Sequence, residues 1–215
     1  KMEQSKKIYK ALNELKKGDN WQNLTAGRKR IIEKRIEAQE LSGISLGDSK
    51  QEDFSSLLKE LSDLETKFSN NVLDATKAFS LTLKTKEEVQ GLPNSFLHLA
   101  SQAYLQKNTS ELSTPENGPW LITLDGPSFI PFMENSENRE LRKKLYKAFV
   151  KRGSQTPYDN TELMHKILEL RKKKANILGF ANYAQLSVKR KMASSTKAVY
   201  GLLEELRVPS FQKAQ

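Results

Sequence analysis

Apolar residues recur at every third or fourth position along much of the chain, the spacing of one face of an α-helix. Between residues 48 and 77 this pattern includes Phe54, Leu57, Leu58, Leu61, Leu64, Phe68, Val72 and Ala75. Similar runs predict helices over 141–149 and 163–178, the latter ending at Gly179, and weaker ones predict helices over 3–16, 25–41, 95–106, 181–191 and 196–206. The sequence therefore predicts a mainly α, multi-helix, bundle-like fold.

Two segments break the helical pattern. Residues 79–85 and 120–124 alternate apolar and polar side chains between turn-forming residues, which is typical of strands. We predict that they pair as a small two-stranded antiparallel β-element. Residues 107–119 are rich in loop-forming residues, and Pro127 and Pro131 are expected to bracket a short turn. No true domain boundary is evident, so 1–215 is expected to form a single helical region.

Composition and charge exclude several classes of protein. The chain has 215 residues, with 36 Lys and Arg against 26 Asp and Glu, and a formal net charge of +10. It contains no cysteine, which excludes disulfides, iron–sulfur clusters and thiolate zinc sites. No stretch approaches the roughly 18 uncharged apolar residues that a membrane helix requires. We therefore expect a soluble protein that does not span a membrane.

The chain offers few residues for catalysis or metal binding. Only two histidines exist, His98 and His165, on separate predicted helices and without the His-Glu-x-x-His spacing of a zinc site. We expect His98 to be a half-buried packing residue and His165 to face solvent. Neither a nucleophile elbow nor a Gly-x-x-x-x-Gly-Lys phosphate loop is present. We therefore predict no catalytic and no metal-binding residue, and the substrate-binding residues stay unknown.

Positive charge is concentrated in two places. Residues 171–174 form a basic run, and residues 137–152 contain two acidic residues against seven basic ones: Arg139, Arg142, Lys143, Lys144, Lys147, Lys151 and Arg152. Such stripes either contact phosphates or form a solvated helix face. Because no aromatic stacking platform accompanies them, we expect a solvated face and no specific nucleic-acid binding. Pairing with an acidic surface on another domain is a third alternative.

Several long strings of residues indicate a family. Residues 116–125 read Glu-Asn-Gly-Pro-Trp-Leu-Ile-Thr-Leu-Asp, and residues 127–133 read Pro-Ser-Phe-Ile-Pro-Phe-Met. Others follow in order at 138–142, 145–149, 159–161, 167–171, 178–184 and 191–193, with upstream strings at 68–76 and 91–93. Together they resemble the N-terminal region of the thimet oligopeptidase and oligopeptidase A family, peptidase family M3, in particular the oligopeptidase A branch of bacteria and plants.

The resemblance implies a function that these residues do not perform alone. Members of the family are zinc metallopeptidases whose His-Glu-x-x-His helix lies in a C-terminal portion that this chain lacks. The family's N-terminal region is largely helical and forms one wall of a channel that admits only short peptides. We therefore expect this chain, as a fragment or a natural short paralogue, to supply the channel wall, to hold no cofactor although intact relatives hold zinc, and to be inactive alone.

The resemblance also implies partners and a location. The partners would be short peptides, through the intact enzyme, and the missing catalytic portion or a full-length relative. The location would be intracellular, in the cytosol or in a plant organelle such as the chloroplast or mitochondrion. The alternative is a non-enzymatic helical interaction module that binds a full-length relative or an acidic partner.

The last predicted helix should leave an apolar face uncovered. Val199, Leu202, Leu203 and Leu206 share one side of it, and few residues follow them. Exposed apolar patches of several hundred Å² commonly mark association sites. We therefore expect this face to be open in the isolated chain.

Overall fold

The computed structural model describes residues 5–109 and 111–215 and confirms a mainly helical chain. The first residues of the helix predicted over 3–16 lie outside this part. In chain order the described elements are α1 Lys6–Lys17, α2 Ala26–Leu41, α3 Asp48–Ala78, β1 Leu81–Leu83, α4 Asn94–Lys107, β2 Trp120–Ile122, α5 Gly126–Asn135, α6 Arg139–Val150, α7 Thr161–Ile177, α8 Tyr183–Val188 and α9 Thr196–Ala214. Most helices lie close to the positions that apolar spacing predicts.

The predicted β-element is also confirmed, with shorter strands. β1 and β2 pair antiparallel, with Leu81 opposite Ile122 and Leu83 opposite Trp120. The side chains of Leu83, Trp120 and Ile122 are almost fully buried, because α4 packs against β2. Only three residues of each predicted segment, 79–85 and 120–124, therefore pair in the sheet.

Two segments that contain proline differ from the sequence prediction. The expected short turn between Pro127 and Pro131 is wrong, because both residues belong to α5. Pro127 lies in the first turn, where no N–H donor is needed, and Pro131 removes only one helical hydrogen bond. Similarly, α9 passes the predicted end at 206 and continues to Ala214 with Pro209 inside it. Residue 209 is exposed, so water can satisfy the carbonyl that proline leaves unpaired.

Several helix ends follow ordinary capping chemistry. At the start of α6, Asn138 Oδ1 accepts a hydrogen bond from the backbone N of Leu141 at 3.1 Å. At the start of α9, Ser195 Oγ accepts from the backbone N of Ala198 at 3.1 Å. α7 is followed by Gly179 with φ +80°, as the sequence predicts. These caps fix where the helices begin and end.

The chain divides into two compact units. The first consists of Lys1–Asp63 and Lys166–Gln215, and the second consists of Leu64–His165. The grouping of 1–215 as a single region therefore stays a prediction. Each unit has its own buried apolar residues, which are described separately.

The core of the second unit lies around the two strands. It combines residues of β1, β2, α4, α5, α6 and the segments that connect them in one cluster: Leu83, Val89, Leu92, Phe96, Ala100, Trp120, Ile122, Leu124, Phe132 and Leu145. The first unit buries a mostly aliphatic set: Ile36, Ala38, Ile44, Phe54, Leu57, Leu61, Ile167, Leu170, Ala175 and Leu186. Most charged side chains of the same helices face solvent, although the polar side chains of Gln39, Ser101 and Ser128 are buried.

Candidate functional site

The two histidines lie on separate helices, His98 on α4 and His165 on α7. Within residues 5–109 and 111–215, no group of three or more His, Cys, Asp or Glu side chains is placed to hold a metal ion. The donor set of the described residues therefore does not fit the zinc that the family resemblance implies. His165 is exposed, as predicted.

The motif at residues 116–125 forms a tightly packed part of the second unit. The Trp120 side chain is 1% exposed, and its Nε1 donates to the carbonyl oxygen of Pro115 at 3.0 Å. Gly118 has φ +67°, and a Cβ atom there would lie 2.6 Å from the indole ring. Glycine is the residue that permits both this conformation and this approach. The motif is therefore structural, and it shapes the cavity beside it.

That cavity has a volume of about 300 Å³. Its lining mixes charged, polar and apolar side chains: Lys86, Val89, Asn94, Leu97, His98, Pro115, Glu116 and Trp120. The prediction that His98 is half-buried is wrong, because its side chain is exposed. α4 buries Phe96, Ala100 and Tyr104, which places His98 on the opposite side of the helix.

A polar network in the second unit joins α3 to the segment before α7. Asn160 is 1% exposed, and its Oδ1 accepts a hydrogen bond from Asn71 Nδ2 at 2.8 Å. Asn160 Nδ2 donates to the carbonyl oxygen of Phe68 at 3.2 Å. Nearby, Arg152 donates to Thr76 Oγ1 at 3.1 Å, and its guanidinium lies 3.7 Å from the centre of the Phe149 ring. These contacts fix the chain around a second cavity.

This second cavity has a volume of about 250 Å³ and lies beside the end of α6. The ends of α3 and α6 and the chain around Leu124 contribute mainly small or apolar residues, and the following loop contributes polar ones. The lining residues are Ala75, Ala78, Phe79, Leu124, Ala148, Lys151, Arg152, Gly153, Gln155, Thr156, Pro157 and Tyr158. Sequence reasoning missed it, because its residues come from distant segments without a shared motif.

The first unit contains a charged cleft between α1 and α2. Lys34 Nζ lies 2.6 Å from Glu37 Oε2, and Lys189 Nζ lies 3.7 Å from Glu37 Oε1. The hydrogen bond from Lys34 and the two positive charges outweigh partial burial and lower the pKa of the Glu37 carboxyl. The cleft has a volume of about 630 Å³, but the opposite charges that line it compensate one another. It therefore presents no single charge to a ligand.

The basic residues of α6 and those of α7 differ in their contacts with other side chains. On α7, Lys173 Nζ lies 2.7 Å from Glu169 Oε1, and the Arg171 guanidinium lies 5.2 Å from the centre of the Tyr183 ring. The hydrogen bond from Lys173 lowers the pKa of Glu169. The basic residues of α6 instead project mainly into solvent, and Lys143 pairs with Glu140 at 3.7 Å. Only the α7 run is therefore largely engaged by its own unit.

The apolar residues of α9 are exposed, as predicted for three of the four residues named from the sequence. Leu202, Leu203 and Leu206 are between 55% and 57% exposed, whereas Val199 is half-buried. Three further large side chains of this helix are also exposed: Tyr200, Val208 and Phe211. The latter lie on another side of the helix, so α9 exposes apolar side chains on two sides, interspersed with charged residues such as Glu204 and Arg207. Among the described helices, none is long and apolar enough to span a membrane.

Comparisons with known proteins agree with the motifs. Residues 132–215 match peptidase family M3, and residues 1–51 match the N-terminal domain of neurolysin and thimet oligopeptidase. The organellar oligopeptidase A, chloroplastic/mitochondrial, of Arabidopsis thaliana is 45% identical over 211 residues, which are 98% of this chain and 26% of that protein. A probable cytosolic oligopeptidase A of Arabidopsis thaliana is 45% identical over 98% of this chain and 30% of its own length.

A bacterial relative shows the same relationship. The oligopeptidase A of Escherichia coli strain K12 is 36% identical over 204 residues, which are 93% of this chain and 29% of that protein. The chain therefore spans between a quarter and a third of the length of these relatives. The matched residues extend over nearly the whole chain and therefore over both compact units. The chain belongs to peptidase family M3, on its oligopeptidase A branch.

Proposed function

We propose that this chain forms part of the substrate-channel wall of a peptide-degrading oligopeptidase and is catalytically inactive alone. The observation that carries the proposal is the extent of the similarity to oligopeptidase A. It covers 98% of this chain but only 26% of the organellar Arabidopsis relative. The part in common is helical and contains no His-Glu-x-x-His string.

The exposed residues of α9 support this proposal. Several large exposed apolar side chains on one helix are typical of a surface that another part of a protein covers. We infer that α9 packs against the catalytic portion of the intact enzyme, which would remove Leu202, Leu203 and Leu206 from water. The channel wall would then be completed only in that assembly.

Zinc would be bound by residues outside this chain. This is consistent with the described residues, in which no group of three or more His, Cys, Asp or Glu side chains is placed to hold a metal ion. Short peptides would contact the wall through mixed polar and apolar surfaces such as the cavity beside Trp120. The chain would act in the cytosol or in a plant organelle, the compartments named for the two Arabidopsis relatives.

Complementation tests the proposal directly. The portion of the organellar Arabidopsis relative that this chain does not match is produced separately and mixed with the 215-residue chain. Hydrolysis of a quenched fluorescent short peptide is measured for each part and for the mixture. We expect activity only in the mixture, and no stoichiometric zinc on this chain after dialysis.

A variant links the result to α9. Replacing Leu202 and Leu206 by Ser should abolish complementation, since the packing face becomes polar. A control with Lys197 and Gln212 replaced by Ser changes exposed polar positions away from the Leu202 and Leu206 face and should complement normally. Peptide hydrolysis by this chain alone, or equal complementation by both variants, would contradict the proposal.

A further inference from the structure

The outer face of α6 presents a regular row of positive charges. It consists of Arg139, Lys143 and Lys147 of α6 and of Lys151, which follows the last helical residue; they are four residues apart, and all four side chains are exposed. We call these four residues the basic row. A rise of about 1.5 Å per residue separates neighbouring members by about 6 Å and spreads the row over about 18 Å. Lys144 adds a fifth exposed cation to the same helix.

The second unit gains little stability from the basic row. Like charges four residues apart on a helix repel one another, and Arg139 lies at the positive end of the helix dipole, whereas the dipole favours Lys147 and Lys151 at the opposite end. Lys143 pairs with Glu140, but within the described ranges no carboxylate forms an ion pair with Arg139, Lys147 or Lys151. A row of exposed like charges with few internal partners is a feature of surfaces where a protein meets a partner of opposite charge.

Apolar groups accompany the basic row. Tyr146 and Val150 are 54% and 53% exposed and lie one turn apart beside Arg139 and Lys143 on the helix surface. A partner that covers this face would therefore bury apolar area as well as pair charges. That combination favours a polypeptide over a polyanion whose contacts are only phosphates.

The cavity of about 250 Å³ adjoins the end of the row, because Lys151 belongs to both. Ala75, Ala78 and Leu124 contribute apolar surface to it. Its surroundings are fixed, since Arg152 Nε donates to the carbonyl oxygen of Phe149 at 3.0 Å. The cavity is thus formed before any partner binds, and its size suits one large apolar side chain.

We propose that the outer face of α6 and the adjoining cavity form a docking site for an acidic segment of another protein. Carboxylates of the segment pair with the basic row, and one large apolar side chain enters the cavity. Glutamates at alternate positions of an extended chain are about 6.6 Å apart, close to the spacing of the row. A second copy of this chain has the same net charge of +10, so charge complementarity favours a different, acidic protein.

Fluorescence anisotropy with defined probes tests the docking site on the full chain. The main probe is a labelled peptide of four glutamates alternating with serines, with leucine at both ends. The second probe has serine in place of each leucine, and the third is an oligothymidylate of equal charge. We expect saturable binding of the leucine probe, weaker binding of the serine probe and the weakest binding of the oligothymidylate.

Two variants and one control locate the binding. Replacing Arg139, Lys147 and Lys151 by Glu should weaken the binding of the leucine probe by about tenfold or more. A control that reverses three exposed lysines elsewhere, Lys59, Lys67 and Lys84, should change the affinity by no more than about twofold. Ala78 lines the cavity and is exposed, so Ala78→Leu should fill the cavity. We expect this variant to bind the leucine probe about tenfold more weakly and the serine probe with unchanged affinity.

Circular dichroism of every variant establishes that the helices are retained. Equal loss of affinity in the control variant would show that binding depends on net charge alone and would overturn the proposal. Oligothymidylate binding as tight as that of the leucine probe would assign the row to nucleic acid instead. Absence of saturable peptide binding at low salt would refute the docking site altogether.

Discussion

Asn160 offers a sharp test of how the second unit is held together. Its side chain joins α3 to the segment before α7 through Asn71 and the carbonyl of Phe68, across 89 and 92 residues of sequence. Asn160→Ala removes both hydrogen bonds and leaves the donor of Asn71 and the carbonyl of Phe68 without this partner. Because Asn160 is 1% exposed, water cannot simply replace the amide without opening the structure.

The expected loss of stability follows from these two contacts. A hydrogen bond contributes about 1 kcal/mol, and a buried group left without a partner costs about 1–3 kcal/mol. Asn71 is half-buried and can regain some hydration, and Phe68 lies within α3, where its carbonyl can accept a helical hydrogen bond. We therefore expect Asn160→Ala to lower the free energy of unfolding by about 2–3 kcal/mol.

Urea unfolding followed by circular dichroism measures this loss. Asn70→Ala is a matched control, because residue 70 is exposed beside Asn71 and should change stability by no more than about 0.5 kcal/mol. The Asn71→Ala and Asn160→Ala double-mutant cycle should give a coupling energy of about 1 kcal/mol. A loss below about 1 kcal/mol, or strictly additive single effects, would refute the role of this network.

Three further predictions concern other parts of the chain. Replacing Leu202 and Leu206 by Ser should reduce binding of a hydrophobic dye and leave the melting temperature within a few degrees, since both side chains are exposed; a large drop would show that they are core residues. Gly118→Ala should destabilise the second unit by several kcal/mol, because the new methyl meets the indole at 2.6 Å and φ is +67°; wild-type thermal stability would contradict this. The lowered pKa of Glu37 means that its stabilising contact with Lys34 is fully present above the ordinary value of 4.5 and is lost as pH falls through the lower folded value; Glu37→Gln should remove this part of the pH dependence in urea titrations.

The sequence predicts much of the fold because apolar spacing is a local signal. The long helix α3 and the pairing of β1 with β2 follow from periods of about 3.6 and 2 residues. α5 escaped prediction because Pro127 and Pro131 resemble turn formers, whereas tertiary packing of Phe132 keeps the segment helical. Proline is compatible with the first turn of a helix, but the sequence pattern does not show at which residue α5 begins.

The surfaces were harder to foresee than the helices. The basic residues of α6 and α7 look alike in sequence, yet the ion pair to Glu169 distinguishes the α7 run in the structure. The apolar part of the cavity beside the end of α6 is lined by Ala78, Leu124 and Ala148, which are far apart along the chain. No periodic pattern brings such residues together, so only the folded structure reveals the cavity.

The division into two units also determines the order in which the chain can fold during synthesis. The first unit is discontinuous, because its parts Lys1–Asp63 and Lys166–Gln215 are separated by the whole of the second unit. A ribosome that adds about 5–20 residues per second exposes all of residues 64–165 before the later part of the first unit exists. The buried residues of the first unit come from both of its parts, Ile36 from the earlier part and Leu170 from the part that is synthesised after the second unit. The unit that begins first in the sequence is thus completed last.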